Sequence, residues 1–419
     1  MFPKARLVTA MVLVPGLLVS IAGTRPADAA PATQTGAQTW TVMNGQAITT
    51  TEGEKPAWQA LKFYTEELTI AAGDTITWKH NSLDEPHNVV FLGNQTTIPE
   101  DPMAEPPAGG QGAPRLALNP MLLYPQGGDT YDGTAFTGSG FMGVGIPGPM
   151  EYSLTFPKAG TYTYLCTLHS GQLPDGTIVG MVGKVTVMAG GSTLPMTPAQ
   201  VQAEATSQMQ ADVQRAKQLE PQAKQSTMSS TAGPNGTTIH HVASGYVDRQ
   251  AKLEYQRFIA EELTINVGDT VEWTSTAFHT VTFGEEPDFI QFEPQPQGPP
   301  KAYYNPMAYA PIGGPVHQGT GYYNSAFLVE GPLPPGVPPF LADKYSLTFS
   351  QPGRYEYICI PHYQLGMDGT VTVRTSSGNQ PGMPRTGGSM IEMLWALSAL
   401  AALALGISGF ALRRHRARG

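Results

Sequence analysis

Apolar and polar positions alternate along this chain in short runs, and the runs come twice. Residues 61–70 (LKFYTEELTI), a turn at Ala72-Gly73-Asp74 and residues 75–78 (TITW) read as strand, turn, strand with a period of two. Residues 258–265 (FIAEELTI), Val267-Gly268-Asp269 and residues 270–273 (TVEW) repeat the pattern. The repeat goes on: residues 151–156 (EYSLTF) match residues 344–349 (KYSLTF), and Asn119-Pro120-Met121 matches Asn305-Pro306-Met307. A duplicated set of alternating strands predicts an all-β protein of two sandwich domains, over residues 39–188 and 239–375.

Residues 189–238 break the period. Thr197 suits an N-cap and Pro198 the first helical position, and an Ala/Gln-rich run follows until Pro221 interrupts it. Val201, Met209, Val213 and Ala216 share one face of that helix. The expectation is a partly helical linker, a helical spacer continued by a flexible stretch over residues 226–238.

The two ends differ from everything between them. Lys4 and Arg6, an apolar run over residues 7–22 and the small residues Ala27-Asp28-Ala29 predict a signal peptide over residues 1–29. Residues 391–412 carry a single charge, Glu392, and are followed by Arg-Arg-His-Arg-Ala-Arg, which predicts a C-terminal transmembrane helix and a basic cytoplasmic tail over residues 413–419. Within the linker of residues 376–390, Met383-Pro384-Arg385-Thr386-Gly387 resembles the LPxTG sorting signal of Gram-positive surface proteins, with Met383 in place of Leu. Two fates are open: a membrane tether through the helix, or sortase-mediated attachment to the cell wall. Both place the folded part on the extracellular face.

Composition narrows the picture further. With 47 Gly, 38 Pro and only 14% charged residues in 419, turn-rich β structure is favoured over helical bundles. The formal charge is -9, but the basic residues concentrate at the ends. Without residues 1–29 and those after Thr386, 17 positive and 31 negative charges remain, a net of about -14. Such a surface excludes nucleic acid as a partner and favours basic ones.

The candidate chemistry sits on two short loops. Cys166 and Cys359 are the only cysteines; each is followed by a histidine three positions on, His169 and His362, and later by a methionine, Met181 and Met367, that opens a new alternating run. Thiolate, imidazole and thioether form a soft, mixed donor set that suits copper better than hard cations. Each set needs one more nitrogen, which residues 86–91 (PHNVVF) and 278–283 (FHTVTF) offer as His87 and His279. A single disulfide between the cysteines would waste both motifs, and zinc has little use for a thioether. His80, His240, His241, His317 and His415 have no repeated context and are not expected to bind metal; His80 is expected at the surface.

Cys359-x₂-His362-x₄-Met367, the segment around His87 and residues 180–187 (GMVGKVTV) resemble plastocyanin/azurin-type cupredoxins over most of residues 39–188 and 240–375. The resemblance implies two cupredoxin-type Greek-key β-sandwiches, each with a type 1 (blue) copper site. The implied ligands are His87, Cys166, His169 and Met181 in the first and His279, Cys359, His362 and Met367 in the second. The first departs from the pattern because residues 173–179 are inserted between His169 and Met181. Met181 is the favoured axial ligand, with Gln172 or no ligand, Pro174 standing where Met367 falls, as alternatives.

The resemblance also implies that His169 and His362 face solvent and pass electrons to protein redox donors and acceptors. Nitrite reductases and small laccases share the repeated fold but use His-x-His pairs and a histidine beside the thiolate, and this chain has neither. The expected function is therefore a cell-surface electron carrier and not an enzyme. A copper-buffering surface protein is the alternative. Between His and Cys lie 78 and 79 residues rich in Pro and Gly, expected to cover the metal or form a docking surface.

Overall fold

The computed structural model describes residues 36–83, 85–107, 114–143, 148–225 and 229–375. The expected signal peptide, sorting-like motif, transmembrane helix and basic tail lie outside the described residues. Among the described residues, no helix is long and apolar enough to cross a membrane.

Strand dominates, as the period of two requires. In the first repeat one sheet holds, in spatial order, Glu67–Ala71, Ile178–Met188, Gly160–Gln172, Val90–Phe91, Thr137–Ser139 and Pro125–Gln126. The second repeat builds the same six-stranded sheet from Glu262–Asn266, Asp368–Arg374, Gly353–Ile358, Thr282–Phe283, Tyr323–Ser325 and Pro311–Ile312. Opposite each lies a sheet containing Thr39–Ile48, Trp58–Tyr64, Thr75–His80 and Glu151–Thr155, or their counterparts Thr238–Asp248, Leu253–Ile259, Thr270–Ser275 and Lys344–Phe349. The buried alternate residues meet between the sheets. Trp40, Phe63, Trp78, Phe91, Phe156 and Tyr164 fill the first core, and Phe258, Trp273, Phe283, Phe349 and Tyr357 the second.

The two sandwiches are fused through an edge. Trp58–Tyr64 pairs antiparallel with Leu253–Ile259, so both outer sheets become one ten-stranded sheet. Pairing edge to edge satisfies backbone groups that would otherwise template aggregation. Gln59 faces Glu254 in this ladder, and each sits four residues before the matching phenylalanine, Phe63 or Phe258. A local two-fold axis relating the repeats therefore passes between Gln59 and Glu254.

The expected spacer is not a spacer. Pro198–Gln225 is one continuous helix that runs through Pro221 and lies under the joint. Thr197 and Gln200 form a reciprocal capping box at its start: the Gln200 amide N–H donates to Thr197 Oγ1 (3.3 Å) and the Thr197 N–H to Gln200 Oε1 (2.8 Å). Ala205, Ala216, Leu219 and Ala223 pack on Trp58, Tyr64, Leu253 and Tyr255, strands of both repeats. Tyr64 and Lys62 also hold the helix residue Asp212, at 2.5 and 3.0 Å. The stretch expected to be flexible contains Ser229–Ala232, which pairs with Thr238–Asp248 as a hairpin.

The two long His-to-Cys segments also meet each other. Met103–Glu105, Arg115–Ala117, Lys301–Tyr304 and Ile290–Glu293 form a four-stranded sheet with members from both repeats. Arg115 pairs with Glu293 at 2.7 Å and stacks 3.5 Å over the Tyr303 ring, while Lys301 reaches Glu105 at 2.9 Å. These segments dock the repeats together.

Candidate metal centres

Each centre forms beside two neighbouring strands, and in the first repeat Cys166 and His169 lie within Gly160–Gln172, where its register breaks between Leu165 and Ser170. Val90–Phe91 pairs with Gly160–Gln172, and just before it His87 exchanges backbone hydrogen bonds with Met142 (3.0 and 2.6 Å). In the second repeat Thr282–Phe283 pairs with Gly353–Ile358, and His279 exchanges bonds with Leu328 (3.0 and 2.7 Å). The histidine is thus fixed beside the cysteine at the same end of the sandwich. His87 Nδ1 lies 3.1 Å from His169 Nδ1, and Cys166 Sγ lies 3.7 and 3.4 Å from the two nitrogens. The second set gives 3.0, 3.7 and 3.4 Å.

These triangles fit a metal ion. Two imidazole nitrogens at about 2.0 Å and a thiolate at about 2.3 Å from one ion stand roughly 3–4 Å apart. Neither cysteine is in a disulfide, and both are fully buried. Each sulfur accepts one backbone N–H at 3.4 Å, from Asn88 or Thr280. The same two residues clamp the cysteine loop: the Asn88 side-chain amide donates to Thr167 Oγ1 and its Oδ1 accepts the Thr167 backbone N–H, both at 2.8 Å, and Thr280 Oγ1 accepts the Ile360 N–H at 2.8 Å. On the far side of the rings, His87 Nε2 meets Ser82 Oγ at 2.9 Å and His279 Nε2 lies 3.5 Å from Glu254. Gly45 and Gly245, at φ 74° and 79° in bulges of Thr39–Ile48 and Thr238–Asp248, make room there, because a Cβ at either would overlap the histidine Nε2.

Met181 and Met367 are both fully buried in the same clusters as Cys166 and Cys359. The Cys359 N–H donates to the Met367 carbonyl at 3.0 Å. Residues 173–179 extend a hairpin, Gln172 opposite Ile178, where the second repeat has only the short 3₁₀ turn Ile360–Leu365. Gln172 is engaged elsewhere, donating to the Thr96 carbonyl at 2.7 Å, and Pro174 is exposed. His80 is not a surface residue; it is half-buried with its ring 5.8 Å from that of His87. His240 and His241 contact Ser230 and Thr231, and His317 is stacked among Tyr323 and Phe349.

A further expectation is overturned. His169 and His362 do not face solvent; their side chains are 12% and 6% exposed. The joint turns them towards each other, and a carboxylate that the sequence reading missed lies between them. Glu85 Oε1 is 2.9 Å from His169 Nε2, and Glu85 Oε2 is 3.2 Å from His362 Nε2. Gln256 donates to Oε2 at 2.9 Å. Glu85-Pro86-His87 matches Ala277-Phe278-His279, so only the first repeat supplies the acid. That mismatch between otherwise parallel segments was the available signal.

Electrostatics follow from this enclosure. Burial opposes charge on Glu85, but hydrogen bonds from His169 and His362 win and hold its carboxyl well below the usual range. Burial likewise opposes charge on His169, yet the Cys166 sulfur and Glu85 push it up to about 10; Cys359 and Glu85 raise His362 in the same way. Burial, reinforced by those cationic neighbours, holds His87 and His279 well below the ordinary value. Burial, helped by the negative charge of Glu85 and opposed by His362 and His169, pushes Glu254 up to about 7. A cation entering either pocket would displace protons and relieve this crowding of charge. Beside the pair lies a cavity of about 810 Å³ lined by Glu85, His169, Glu254 and His362 and by the apolar Phe278, Phe289 and Phe327.

Two buried His-Cys-His clusters on a pair of β-sandwiches define a copper-binding type of protein. The copper-binding protein family of plastocyanin and azurin matches residues 49–111 and 341–374. Plastocyanin of Solanum tuberosum is 33% identical over 128 residues, 30% of this chain and 89% of the relative. Chloroplastic plastocyanin of Solanum lycopersicum is also 33% identical over 128 residues, there spanning about half, 52%, of the relative's length. The oxidised plastocyanin of Dryopteris crassirhizoma, 21% identical, covers 32% of this chain and 99% of its own with a TM-score of 0.19, a likeness confined to one part of the molecule. The chain belongs to the plastocyanin/azurin family of copper-binding proteins.

Proposed function

We propose that the protein is an electron carrier with two type 1 copper centres, held at the outer face of the cell by its C-terminus, and that it is not an enzyme. The observation that carries the reading is the pair of near-identical donor triangles, each with a buried methionine in the same core cluster. His87, Cys166, His169 and Met181 would hold one ion, and His279, Cys359, His362 and Met367 the other. Copper so held supplies one-electron exchange with little change of geometry. The chain's own part is to fix the donors before the ion arrives: the Asn88 and Thr280 clamps set the sulfur, Ser82 holds His87 Nε2, and Glu85 holds the Nε2 of His169 and of His362. A net negative ectodomain would favour cationic redox partners.

Metal counting with visible and EPR spectroscopy tests the reading. Wild type should hold two coppers per chain with intense thiolate-to-copper absorption, and Cys166→Ser and Cys359→Ser should each remove about half of it. Copper bound without that absorption would favour a buffering protein, and a third copper would reopen the enzymatic alternative.

A further inference from the structure

We infer that Glu85 is a positioning residue that joins the two metal pockets into one unit, and that electrons exchange between them within a single chain through the His169–Glu85–His362 contact. The inference rests on the two-copper reading above and deepens it. With each Nδ1 turned towards a cysteine sulfur, the Nε2 of His169 and of His362 is the ring atom left to carry hydrogen, and both meet one carboxylate at 2.9 and 3.2 Å. A metal-ligating histidine commonly donates its other N–H to a carboxylate, which fixes the ring and raises its basicity. Here one carboxylate does this for two ligands in different repeats.

Three further observations support the coupling. Glu85 is buried and its third contact, Gln256, comes from the opposite repeat, so the acid is held from both sides of the joint. The joint itself is made at three places, by the strand ladder at Gln59 and Glu254, the helix Pro198–Gln225 beneath it and the shared sheet of the long segments. Finally, both histidines are largely buried at the joint, and the ring edge of each meets the same carboxylate. In the exchange one pocket is oxidised as the other is reduced by the same electron. No covalent bond forms or breaks, and both N–H groups keep their protons.

The test compares wild type, Glu85→Gln and Glu85→Leu as full chains. Two readouts are needed. In protein loaded with zinc, which is diamagnetic, NMR should show slowly exchanging Nε2–H signals from His169 and His362, and Glu85→Leu should shift or lose both, although Glu85 belongs to one repeat only. In copper-loaded protein reduced by less than one electron per chain, wild type should relax between the two centres with a rate independent of protein concentration. Glu85→Leu should slow this by roughly 10- to 100-fold, with Glu85→Gln, of the same shape, between the two. An unchanged relaxation rate in Glu85→Leu, or an effect on the His169 signal alone, would overturn the inference. If the wild type takes up copper but is colourless, the electron-carrier reading fails; the NMR arm still decides whether Glu85 bridges the pockets. Should Glu85→Leu not fold, the Gln variant carries both readouts.

Discussion

At the scale of single residues, small changes should act on one pocket at a time. Gly45→Ala would press a methyl group on His87 Nε2, and Gly245→Ala one on His279 Nε2. Each should weaken copper in its own pocket by roughly tenfold or more and leave the other intact, as read by titration with a competing chelator. Asp101 offers a pH signature away from the ligands. Burial, opposed by the Asn119 N–H at 2.7 Å, pushes its carboxyl up to about 6 from 3.8. Because the folded-state value is the higher one, its contribution to stability is complete below pH 3.8 and is lost as pH rises through 6. Asp101→Asn keeps the acceptor for Asn119 and cannot ionise. Relative to wild type it should gain about 1–2 kcal/mol between pH 4 and 7 in denaturant melts, a value reduced for partial exposure.

At the scale of elements, the helix Pro198–Gln225 shows what a periodic pattern can and cannot reveal. The face shared by Val201, Met209, Val213 and Ala216 was legible, and those side chains do turn inward. What they pack against was not, because an apolar stripe says only that something covers it. The partner is a strand pair contributed by both repeats. Leu219, almost fully buried among Trp58, Leu253 and Tyr255, is the sharpest probe. Leu219→Ala should lower stability by about 2–4 kcal/mol in urea unfolding followed by tryptophan fluorescence. A loss below about 0.5 kcal/mol would mean that the helix is merely laid on the surface. The hairpin at residues 173–179 taught a related lesson. The insertion between His169 and Met181 lengthens a strand pair at its tip, and Met181 stays in the core cluster that holds Cys166.

At the scale of the whole molecule, the duplication and the Cys-x₂-His halves of the two sets could be read from the chain because spacing and alternation are local, and His87 and His279 could be added because their contexts repeat. The joint could not, since strand pairing between repeats depends on register across more than a hundred residues, and neither Trp58–Tyr64 nor Leu253–Ile259 announces itself as an edge. Glu85 fell into the same gap. Its sequence marks it as an oddity beside Ala277, but the histidine that gives it meaning lies in the other repeat. The head-to-head arrangement has a kinetic outcome of its own. Two separate sandwiches would have to collide before an electron could pass between them, whereas these two are held at a fixed and high effective concentration. On the two-copper reading, dilution would slow exchange between separate sandwiches but not between these, while in both cases the difference of potentials would set how the electron divides.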